Sequence, residues 1–62
     1  MNTESKIVGL KQAEKVHGLY ELVNKDGDYG YRLLARLKDK QAMQKAREKV
    51  IAERLIAMMI VP

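Results

Sequence analysis

Residues 19–34 read LYELVNKDGDYGYRLL, two β-prone arms on either side of Asp26-Gly27. An Asp-Gly pair readily takes the two positive φ values of a type I′ turn, whose twist suits a two-residue hairpin loop. With Asp26-Gly27 as the loop, Lys25 faces Asp28, Asn24 faces Tyr29, Leu22 faces Tyr31, Glu21 faces Arg32 and Tyr20 faces Leu33. Opposite charges and aromatic–aliphatic partners then meet across the strands, each pair worth ~0.2–1 kcal/mol. Tyr20, Leu22, Tyr29, Tyr31 and Leu33 fall on one face. That face must be covered, because an isolated two-stranded hairpin is marginal in water. A second reading continues a helix from Tyr29 to the C-terminus and yields an all-α helical hairpin that forms a dimeric bundle. Gly27 and Gly30, poor helix residues, and the polar turn Lys38-Asp39-Lys40-Gln41 argue against it.

Upstream of the hairpin, Ile7, Leu10, Ala13 and Val16 or His17 recur at spacings of three and four, the mark of a short amphipathic helix over roughly Thr3 to His17. Thr3 or Ser5 can cap it, and Gly18 follows Lys15-Val16-His17 where a C-terminal glycine and last-turn cations are favoured. Downstream, Asp39 is an N-cap for a long basic helix from Lys40 to about Met59. Ala42, Met43, Ala46 and Val50 form a narrow stripe on it. Lys38, Lys45 and Lys49 lie on one flank, and Lys40, Arg47 and Arg54 on the other. The terminal Leu55–Val61, LIAMMIV, also reads as a buried strand, since a short apolar run does not separate the two periods. The expected architecture is α+β: a short N-terminal helix, a β-hairpin over about 19–34 and a long basic C-terminal helix, in a single small domain over residues 1–62.

The chain has 62 residues, 47% hydrophobic and 32% charged, with 12 Lys+Arg, 8 Asp+Glu and no cysteine. One core below roughly 70–80 residues seldom supplies more than a few kcal/mol, so association is expected. The stripe and the apolar tail nominate Ala42, Met43, Ala46, Val50, Ile51, Leu55, Met58 and Met59 as a homo-oligomer interface. The lack of cysteine suits a reducing, cytoplasmic setting. The longest apolar run, Leu55–Val61, is far short of the ~20 residues of a membrane span.

Residues 1–31 carry four Lys against five acids, and residues 32–62 carry eight Lys or Arg against three. A localised positive field attracts nucleic acid, anionic lipid or an acidic protein face. Arg32, Arg36, Lys38, Lys40, Lys45, Arg47, Lys49 and Arg54 are therefore candidates for contacting DNA or RNA. Cations beside an apolar stripe also serve as solvated borders of an interface. An interfacial membrane helix is disfavoured because the stripe is Ala-rich and lacks Trp and Phe.

Catalysis is not expected, since His17 and Ser5 are the only residues of their kinds and no nucleophile–base–orienter set can be assembled. His17 is placed in the last turn of the first helix. Asn24, Asp26 and Asp28 alternate like calcium ligands, but the required Gly would fall at Tyr29 and the bidentate Glu at Ala35, so no metal or cofactor is implied. The three tyrosines either pack on the helices or form a stacking platform for single-stranded nucleic acid.

The run Val16-His17-Gly18-Leu19-Tyr20-Glu21-Leu22-Val23, followed by Asp26-Gly27-Asp28 and Tyr31-Arg32-Leu33, resembles the wing of winged-helix transcription regulators over about 20 residues. The chain departs from that family by lacking room for the two helices before the recognition helix. The resemblance implies that Lys11 and Lys15 approach the groove and Lys25 the minor groove or backbone. The reading from these features is a compact, non-enzymatic, homo-oligomeric regulator that contacts nucleic acid through its basic second half. The alternative is a protein-interaction module, an inhibitor or adaptor, docking a second protein through its Met-rich C-terminus.

Overall fold

The computed structural model describes residues 6–62. Its elements are β1 (Ile7–Val8), α1 (Leu10–Ala13), β2 (Gly18–Lys25), β3 (Asp28–Arg36), α2 (Lys40–Glu53) and β4 (Ala57–Ile60). The strands form one antiparallel sheet in the order β1-β3-β2-β4.

The β2–β3 hairpin turns on Asp26 (φ 52°) and Gly27 (φ 87°). Its pairs run from Lys25↔Asp28 through Glu21↔Arg32 to Tyr20↔Leu33, the register that a two-residue loop dictates. Between Leu19 and Tyr20 the register slips, so that Leu19 faces Ala35 and Leu34 is the extra residue. The bulge turns two successive residues toward α2: Leu34 and Ala35 both join the cluster of Leu19, Met43 and Ala46.

The expected architecture is overturned at both ends of the chain. In place of a helix over Thr3–His17 the described residues hold a two-residue strand and a one-turn helix. Ile7 and Val8 are β-branched, and pairing with Arg32 and Tyr31 outweighs the helical spacing. The proposed caps Thr3 and Ser5 lie outside the described residues, and His17 stands at the entry to β2. One turn is too short for a recognition helix, so the winged-helix arrangement is not formed. There is no helix to Met59 and no all-α bundle: α2 ends at Glu53, and Ala57–Ile60 pairs with β2.

The stop at Glu53 has a local form that the sequence does not advertise. Arg54 takes the left-handed conformation (φ 54°, ψ 47°). Its N–H donates to the Ile51 carbonyl and the Leu55 N–H to the Val50 carbonyl, at 3.4 and 2.9 Å. This is the Schellman pattern, normally closed by Gly.

Two clusters lie on opposite faces of the sheet. On the helix face, α2 places Met43 and Ala46 against Leu19 and Ala35, with Ala42, Val50, Ala57 and Met59 at the margin. On the other face, Tyr20, 2% exposed, packs with Ala13 and Ile60, bordered by Val8, Tyr31 and Leu33. The Tyr20 hydroxyl donates to the Ala13 carbonyl at 3.1 Å and reaches the Val16 carbonyl, tying α1 to the sheet. Burial pushes the Tyr20 phenol above its ordinary pKa, against a smaller opposing effect of Arg36.

Candidate functional site: a basic cleft at one end of the sheet

A concentration of positive charge at one end of the sheet is built by three main-chain connections. The Leu37 N–H donates to the His17 carbonyl at 3.0 Å, which extends the hairpin ladder by one rung and brings the segment before β2 beside the end of β3. The Asp39 N–H donates to the Arg36 carbonyl at 3.1 Å, folding residues 36–39 into a tight turn. Asp39 then caps α2: its Oδ1 accepts from the Ala42 N–H at 3.0 Å and its carbonyl from the Met43 N–H at 2.8 Å.

These bonds draw Lys15, His17, Arg36, Lys38 and Lys40 around one cleft of about 850 Å³. Asp39 carries the only acidic side chain among the described residues that line it, and one of its oxygens is engaged by the helix N-terminus. Four permanent cations facing one carboxylate give the cleft an attraction for anions, and Lys and Arg side chains there are exposed enough to adapt to phosphate.

The candidate cations separate into groups. Arg36, Lys38 and Lys40 share the cleft. Lys45, Arg47 and Lys49 are exposed on α2, and Arg54 is exposed beyond its far end. Arg32 lies half-buried, its Nε 3.3 Å from Glu21 Oε1, so part of its charge is already answered within the sheet. His17 is absent from the sequence-based candidates, and Lys15 enters them only through the winged-helix resemblance, not as a neighbour of Arg36. The hairpin register carried two residues past Leu19 finds His17, because it sets His17 near Arg36 and Leu37.

The candidate interface is largely occupied by the chain itself. Met43 and Ala46 are buried, and Ala42, Val50 and Met59 pack at the margin of the same core. Leu55 is half-buried, while Ile51 and Met58 are exposed. The helix stripe therefore meets the protein's own sheet. The tyrosines do not form a stacking platform: Tyr20 is buried, Tyr31 packs edge-on to it at 6.4 Å and 83°, and Tyr29 alone is exposed. No helix among the described residues is long and apolar enough to cross a membrane. Compared with protein-family models, with curated proteins and with solved structures, the chain matches none.

Proposed function

We propose that this chain is a non-enzymatic regulator that acts in the cytoplasm and contacts DNA or RNA by gripping phosphates in the basic cleft. The convergence of Lys15, Arg36, Lys38 and Lys40 on one cavity with a single, partly engaged carboxylate carries this reading. Lys45, Arg47 and Lys49 on the exposed faces of α2 extend the positive surface along the helix. The contacts expected are to the backbone, so affinity outweighs sequence discrimination.

The test is fluorescence anisotropy with random-sequence DNA and RNA oligonucleotides at two salt concentrations. Each phosphate neutralised steepens the log–log salt slope by roughly 0.9 on duplex, so four contacts weaken binding about 150-fold between about 50 and 200 mM salt. Lys38→Gln or Arg36→Gln should reduce the slope by about 0.9, whereas Arg32→Gln, already paired with Glu21, should leave it unchanged. Failure to bind at the lower salt overturns the proposal.

A further inference from the structure

Among the described residues β4 forms one edge of the sheet, with β2 on one side and no strand on the other. The Leu22 N–H donates to the Ile56 carbonyl at 2.8 Å, which makes these two a hydrogen-bonded pair. By the alternation of antiparallel ladders, Met58 and Ile60 also turn their backbone groups toward β2, opposite Tyr20 and Gly18. Ala57 and Met59 therefore turn their N–H and C=O groups outward.

Natural sheet edges are usually blunted by charge, proline or a bulge. The run Leu55–Val61 contains neither a charged residue nor a proline, and the β2–β4 register is unbroken. Exposed hydrophobic side chains also gather here. Among the described residues, seven large hydrophobic side chains are exposed, and three of them, Ile56, Met58 and Val61, belong to this strand and its ends, with Ile56 64% exposed. Ile51, 77% exposed, lines with Met59 a groove of about 560 Å³ on the helix face that Leu37, Lys40, Arg47 and Glu48 also border.

We propose that β4 pairs antiparallel with β4 of a second copy about a two-fold axis, joining two sheets into one of eight strands. Antiparallel pairing of identical strands is self-complementary, the condition a two-fold interface must meet. Apolar side chains border both faces of the strand, so the pairing covers Ile56 and Met58 on one face and adjoins Ile51 and Met59 on the other. The cations Lys40 and Arg47 share the groove of Ile51 and Met59 with Glu48. α2 packs over β2 and β3, so strand spacings of about 4.8 Å hold the axes of the two helices roughly 20 Å apart.

Sedimentation equilibrium at micromolar concentration, in about 0.5 M salt and without nucleic acid, isolates this interface from the phosphate-gripping reading. The wild-type chain should weigh twice 7.1 kDa. Ala57→Pro removes an outward N–H and Met58→Lys sets like charges near the axis; each should restore the monomer mass with the circular dichroism spectrum retained. If the proline variant unfolds, Met58→Lys alone decides the matter. Tyr29→Lys, which replaces an exposed hydrophobe at the hairpin tip, should leave the dimer intact. A wild-type monomer, a dimer indifferent to Met58→Lys, or a dimer equally sensitive to Tyr29→Lys overturns the proposal.

Discussion

Replacing Tyr20 by Phe removes one hydroxyl from the better-hidden of the two cores and leaves the ring in place. The ring is 2% exposed, so its apolar burial is conserved, and the loss is confined to the hydrogen bond given to the Ala13 and Val16 carbonyls. Ala13 keeps a partner, because its carbonyl also accepts the Val16 N–H at 3.1 Å. The expected cost is therefore one net hydrogen bond plus partial desolvation of the Val16 carbonyl, about 1–2 kcal/mol. In a domain this small a loss of 1 kcal/mol lowers the melting temperature by roughly 8 °C, so a drop of about 8–15 °C is expected by circular dichroism near neutral pH. The phenol supplies a second signature. Its folded pKa is raised above the reference value of 10.0, so the folded chain retains a proton that the unfolded chain has released. The contribution is complete below about pH 10 and is lost as pH rises through the folded value. The gap between wild type and Tyr20→Phe should accordingly narrow as pH rises above about 10. An unchanged melting temperature, or a gap that does not depend on alkaline pH, would refute the assigned role of this hydroxyl.

Four further substitutions probe other parts of the molecule. Asp39→Ala removes both the cap of α2 and the one acidic side chain among the described residues lining the cleft, so it should lower stability by about 1 kcal/mol while tightening oligonucleotide binding in the same anisotropy assay. Arg54→Gly relieves a left-handed backbone at the Schellman position and should raise stability by about 0.5–1 kcal/mol in urea titrations. Gly18→Ala would drive a Cβ into the Ala35 carbonyl and to 3.0 Å from the Arg36 Cα, and the Cβ of Gly30→Ala would meet Ile7 Cγ2, which a β-branched side chain clears only by changing χ1 or shifting β1. Each should cost on the order of 1–3 kcal/mol, Gly18→Ala the more because backbone is in the way, read from urea midpoints.

The hairpin was legible because its information is local: Asp26-Gly27 fixes the loop, and the loop fixes every pair out to Tyr20↔Leu33. The start of α2 was legible for the same reason, since Asp39 carries the cap within three residues of its acceptor contact. Its end was not, because Arg54 supplies the left-handed turn without the glycine that would announce it. What halts the helix is distant, the capture of Ala57–Ile60 by β2. β1 escaped notice because two residues are too few to show a period. The apolar stripe of α2 was visible but its partner was not: periodicity reports that Met43 and Ala46 need covering, not whether a sheet or a second chain does it. The cleft was half legible, since Arg36, Lys38 and Lys40 follow from composition, but Lys15 and His17 join them through a hydrogen bond between segments remote in sequence.

The position of β2 at the centre of the sheet has a kinetic consequence. One neighbour, β3, is joined to it by a two-residue turn, and the other, β4, returns only after all of α2. Hairpins form in about 1–10 µs, whereas the β2–β4 contact must first close a long loop. Refolding should therefore begin at Asp26-Gly27 and finish at Ala57–Ile60, and during synthesis Tyr20 must wait for Ile60 before its core is closed. A nascent chain halted between α2 and β4 would hold a formed hairpin with one side of β2 bare, and that is the species most open to proteases and to chaperones.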